Sequence, residues 1–197
     1  MPYKDMLSSF AIALTFVAFL PYIRAIKRGR TKPHVFSWII WGSATFVVFL
    51  AQLSDGGGAG AWPTGVSGLI TIYIAALAWQ HKSDMTITGA DRFFLAIAML
   101  SLPLWYITAN PLWAVVILTT IDVLGFGPTV RKAYLLPQEE HPGFFIIVAF
   151  RNLVSIAALE HYSLATLLFP AATAVVCVAF VAMVAFRRRL LWSRSDS

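Results

Sequence analysis

The chain is 197 residues long, 59% hydrophobic and 12% charged, with a mean hydropathy of +0.75. One soluble core cannot hide that much apolar surface, so the composition excludes an ordinary soluble domain and points to an all-α membrane protein. A formal net charge of +6 raises nucleic acid as a partner, but the spacing of the basic residues answers to membrane topology instead.

A helix satisfies its own backbone inside the hydrocarbon and needs roughly 17–25 mostly apolar residues to cross it. Seven segments meet that description: residues 6–27, 34–53, 61–80, 91–109, 111–134, 142–160 and 163–186. The first has no small-x-small cleavage site after it and is expected to stay in the mature protein. It ends in LPYIRAIKRGRTKPH, with Pro21 just inside its end, a basic stretch, and His34 at the start of the next segment. Between the second and third lies SDGGGAGAW, read as a flexible connector; no Lys-Ser/Thr follows its glycines, so it is not a phosphate loop. Short links elsewhere leave no room for a soluble domain. The single cysteine, Cys177, falls in an apolar run and is expected to be a small buried hydrophobe.

Of the 15 Lys and Arg residues, thirteen fall in alternate connections or in the tail, and Lys4 and Arg151 are the exceptions. The positive-inside rule then sets the N-terminus outside and the C-terminus in the cytoplasm of a multi-pass protein of the cell (inner or plasma) membrane. The basic tail reads as a contact for anionic lipids rather than for nucleic acid.

Sliding the chain against itself by 107 residues, without a gap, brings Phe19 onto Phe126, Pro21 onto Pro128, Arg24 onto Arg131, His34 onto His141 and Pro63 onto Pro170. Spans one to three therefore correspond to spans five to seven. Span four returns the chain across the membrane, so the copies run parallel about an axis along the membrane normal. The expected units are residues 1–82, a linker helix at 83–110, and a second repeat with the basic tail at 111–197.

The stretch LPYIRAIKRGRTKPHVFSWIIWG resembles the PQ-loop motif, and GFGPTVRKAYLLPQEEHPGFF resembles a second copy. The 3+1+3 plan is similar to that of the SWEET-like (MtN3) transporter superfamily, although Tyr22 and Thr129 stand where the motif has glutamine. The resemblance implies a transporter moving a small polar solute, sugar-like or vitamin-like, by alternating access, as a uniporter or coupled to an ion. It also implies that Pro21 and Pro128 act as gating hinges. Proline removes one backbone hydrogen bond and weakens its helix there in any case.

Ionisable groups at mid-depth are expensive and face a partner or a cavity. Asp122 lies about 16 Å into span five and Arg151 about 14 Å into span six, within reach of each other and absent from the first repeat, where Thr15 and Ala44 stand. They are either a structural ion pair or part of a solute site, with Asn152 beside Arg151 as a further donor. Trp38, Trp41 and Thr45 share one helical face at i, i+3 and i+7, and Thr71 and Tyr73 in span three are further candidates for the lining. His34 and His141 open spans two and six and make a candidate pH-sensitive latch, or simply interfacial caps.

No metal-ligand spacing or catalytic motif stands out, so neither an enzyme nor a cofactor is expected. The expected partners are a small-molecule solute and lipid, with homo-oligomerisation left open. The alternatives are a membrane receptor or sorting protein on the same fold and, less favoured, a membrane-embedded enzyme using Asp122, Arg151 and Glu160.

Overall fold

A computed structural model describes residues 2–30, 33, 35–81, 87, 89–139 and 142–195. His34 and His141 lie outside these residues. The described residues are mostly helical, with no strand among them. The α-helices are α1 (Pro2–Lys27), α2 (Val35–Ser54), α3 (Trp62–Gln80), α4 (Gly89–Thr108), α5 (Pro111–Gly125), α6 (Gly127–Leu135), α7 (Gly143–Ala158) and α8 (Leu164–Ser195), with 3₁₀ turns at Gly58–Ala61 and Pro137–Glu139.

Five helical stretches among the described residues are long and apolar enough to cross a membrane: Pro2–Lys27, Val35–Ser54, Gly58–Gln80, Pro111–Leu135 and Leu164–Leu191. Two expected spans, Arg92–Thr108 and Gly143–Ala158, are apolar but shorter. The second covers about 24 Å at 1.5 Å per residue, because the backbone turns extended at Leu159.

Helix ends are set by local chemistry. α1 closes in a Schellman motif: Gly29 (φ +67°) donates to Ile26 O at 2.9 Å and Arg30 to Ala25 O at 3.0 Å. α2 closes the same way at Gly56 (φ +78°), with Gly56 donating to Leu53 O and Gly57 to Gln52 O. The glycine stretch after it is therefore not the flexible connector its composition suggests. It winds into the Gly58–Ala61 turn and wedges against α7, where a Cβ on Gly60 would stand 2.5 Å from Leu159 N.

The two proline sites differ. α1 runs unbroken through Pro21, whereas the fifth span breaks at Phe126, whose amide bonds Val123 O at 3.1 Å instead of continuing the α pattern. The equivalents of Ala18 and Leu20 are Gly125 and Gly127. Each glycine disfavours helix by about 1 kcal/mol relative to alanine, so the helix yields at 125–127 where α1 stays continuous at 18–20.

α3 packs between α1 and α2, and α8 between α5 and α7. Across the middle, α1 lies against α7 and α2 against α5, while α4 covers α5 and α2 from outside. Glycines let α2 and α3 meet backbone to backbone: a Cβ on Gly42 would lie 2.8 Å from Ile72 N, and one on Gly68 2.9 Å from Phe46 N. Gly42→Ala is expected to force these helices apart and to destabilise the fold by about 1–3 kcal/mol, read as a lower thermal midpoint in detergent.

At one end of the bundle, α1 meets the turns that flank it. Lys4 Nζ donates to Leu159 O, Ser8 Oγ to Ala59 O at 2.6 Å, Gln52 Nε2 to Thr166 O at 2.8 Å, and Ser163 Oγ to Asp55. These bonds stitch that end shut across both halves. At the other end sit Arg24, Lys27, Arg28, Arg30, Arg92 and Arg131. There α8 continues past the expected boundary: Arg187 lies 4.2 Å over the Tyr134 ring and Arg188 Nε donates to Pro137 O at 2.9 Å, which pins the basic tail to α6.

Candidate functional site

A cavity of about 220 Å³ lies between the two groups of helices, running from mid-depth toward the basic end. Every helix but α4 contributes to its wall. α5 and α6 present Asp122, Gly125, Phe126 and Thr129, at i, i+3, i+4 and i+7 across the break. α2 presents Trp38, Trp41 and Thr45, and α7 presents Phe144, Phe145, Val148 and Arg151. Ser67 and Thr71 come from α3, Phe169 and Thr173 from α8, and Phe19 from α1.

Aromatic rings gather toward the basic end. Tyr22 stacks on Trp38 at 5.1 Å, Trp38 meets Trp41 edge-on at 5.9 Å, Phe19 meets Phe144 at 5.6 Å, and Phe126 meets Phe145 at 5.6 Å. Edge-to-face contacts of this kind hold the rings in fixed relation. Gly125 lets the Trp41 indole press on α5, since a Cβ there would sit 2.7 Å from Nε1.

The charges lie deeper. Arg151 is only 4% exposed, and two of its five N–H donors are taken by neutral oxygens: Nη1 reaches Pro63 O on α3 at 2.9 Å and Nη2 reaches Asn152 Oδ1 at 3.0 Å. Asn152 is wholly buried and donates Nδ2 to Val148 O at 2.9 Å. It is thus a positioning residue, fixing the guanidinium from behind rather than lining the cavity. Asp122 faces the cavity from α5, and its carboxylate has no hydrogen-bond or ion-pair partner among the described residues. A direct Asp122–Arg151 ion pair, one of the two expectations, is therefore not formed: the guanidinium is turned to neutral oxygens, and the two charges share a cavity instead.

No family model, curated protein or solved structure matches this chain.

Of the residues singled out in the sequence, Trp38, Trp41, Thr45, Thr71, Asp122 and Arg151 converge on the cavity. Tyr73 does not. It is 44% exposed on the outer face of α3, with Lys27 Nζ 5.7 Å from its ring, because it falls two residues, about 200° of helix, beyond Thr71. Tyr73→Ala is expected to leave solute binding unchanged, which a binding isotherm on the purified variant checks. Pro21 is exposed beside the wall, and Pro128 sits between the wall residues Phe126 and Thr129. Glu160 is at the stitched end, accepting from Ala59 N at 3.5 Å, apart from the cavity charges. Cys177 is buried, as its apolar context predicts.

The phenylalanines, Ser67, Gly125, Thr129 and Thr173 were not anticipated as wall residues. The i, i+3, i+4, i+7 stripe starting from Asp122 is the signal that finds three of them.

Proposed function

We propose that this chain is a multi-pass transporter of a small polar solute, working by alternating access between two parallel three-helix repeats. The observation that carries the reading is the cavity on the boundary between the two helix groups. Its walls bring together residues related by the 107-residue offset: Phe19 with Phe126, Trp38 with Phe145, and Trp41 with Val148. The packing supports the same symmetry, for exchanging α1 with α5 and α2 with α7 turns the α1–α7 contact into the α5–α2 contact. An axis through the cavity is what a substrate path between repeats requires.

Likeness to the PQ-loop and SWEET-like plan is part of the proposal, with a solute of sugar-like or vitamin-like size. A volume of about 220 Å³ is below the roughly 300–1,000 Å³ of drug-sized pockets, which favours a single small metabolite over a peptide or an oligosaccharide. The basic end is assigned to the cytoplasm by the positive-inside rule, which puts the N-terminus outside and the stitched end toward the exterior. The first repeat is residues 1–82, the linker helix 83–110, and the second repeat with the basic tail 111–197.

Flux into proteoliposomes tests the reading. A carrier equilibrates labelled solute across the bilayer and shows counterflow. Saturable binding without movement sinks it in favour of a receptor, and a chemically altered product in favour of an enzyme.

A further inference from the structure

The cavity carries two opposite charges that do not touch. Arg151 stands on α7 with its guanidinium held by the Pro63 carbonyl and Asn152, and Asp122 stands on α5, where its carboxylate makes no hydrogen bond or ion-pair contact among the described residues. The carboxylate is the informative member, because an anion in so largely apolar a cavity is disfavoured unless a proton or a cationic group of a ligand neutralises it. Toward the basic end the wall is aromatic: Phe19, Trp38, Phe126 and Phe145 form a surface for an apolar body.

We infer that the solute is a zwitterion, with an ammonium group set against Asp122, a carboxylate against the remaining N–H donors of Arg151, and an apolar tail on the aromatic rings. This rests on the transporter reading and narrows its substrate class. The site as a whole is neutral, so a neutral solute carrying both charges enters without leaving net charge behind. A sugar offers each group only neutral hydroxyls, whose hydrogen bonds are about half as strong as those between two charges. A simple organic cation would meet Asp122 but bring a third charge close to Arg151, and a simple acid would do the converse.

Equilibrium binding reads the solute class independently of flux. Thermal stability of the purified full-length chain in detergent is measured with the twenty α-amino acids and glycine betaine, and with phenethylamine, 3-phenylpropionate and glucose. A ligand that binds the native state raises the midpoint. At least one zwitterion is expected to stabilise the protein, while its single-charge analogues do so at concentrations about tenfold higher or more. Asp122→Asn is expected to remove that preference, weakening the zwitterion about tenfold or more and, by relieving the repulsion, letting the acid analogue bind more tightly than to the parent. Arg151→Lys, which retains the charge, is expected to remain folded and to weaken the acid analogue.

Stabilisation by glucose alone, by a single-charge analogue as well as by its zwitterion, or by none of the zwitterions overturns the inference. The last result would mean a hydrated structural charge pair only. A zwitterion that binds but does not cross proteoliposomes leaves the inference standing and removes the transporter reading. A glucose flux without zwitterion binding does the reverse.

Discussion

Arg151→Ala is expected to abolish solute binding and to destabilise the protein more than any other single change in the cavity wall. The guanidinium bridges α7 to α3, donating to Pro63 O at 2.9 Å, and satisfies Asn152 Oδ1 at 3.0 Å. Truncation strands two buried acceptors, each worth about 1–3 kcal/mol, and opens a hole beneath the aromatic wall. It also leaves Asp122 as the lone charge of the cavity. A loss of about 3–5 kcal/mol follows, which for a domain of this size lowers the thermal midpoint by about 6–20 °C. Arg151→Lys keeps the charge but cannot serve both acceptors with one flat fork, so it is expected to recover the charge balance and only part of the stability. Equal midpoints for the alanine variant and the parent would show that the Pro63 and Asn152 bonds hold nothing together.

The charge positions were legible in the sequence because an ionisable side chain in an apolar run has few places to go. The stripe Trp38, Trp41 and Thr45 was legible for a related reason, since α2 is a regular helix and its spacing alone aligns them. What spacing could not give is direction. Tyr73 and Thr71 are two residues apart and point to different faces, and only the packing of α3 between α1 and α2 decides which is inside. Nor could it give partners. Asp122 and Arg151 sit at matching depths, which makes an ion pair the natural expectation, yet a backbone carbonyl from a third helix takes the guanidinium first. The glycine stretch at 56–60 failed for the opposite reason. Composition registers the freedom of glycine, whereas here the freedom is used to reach positive φ and a backbone approach that side chains would block.

Straightening the break in the fifth span is expected to slow transport about tenfold or more while leaving equilibrium binding unchanged, and the matching change in α1 is expected to do far less. Gly127 can accept a methyl group, since nothing lies within 4 Å of the Cβ it would carry. Alanine there favours helix by about 1 kcal/mol, and replacing Pro128 with alanine adds about 3 kcal/mol by restoring an amide donor. Gly127→Ala with Pro128→Ala thus tends to fuse α5 and α6 through Phe126, the residue at which the helix now breaks. If only a third of that preference separates the two positions that the proposed alternating access requires, the rate falls about tenfold. Pro21→Ala changes a helix that is already continuous, so it stabilises both positions alike. Phe126 belongs to the break and to the cavity wall at once, so movement at the break would reshape the wall. Stopped-flow uptake beside a binding isotherm reads the two effects separately. Equal slowing from Pro21→Ala and from the double change would assign the gate to both repeats, and the asymmetry of the two helices would then have no mechanical meaning.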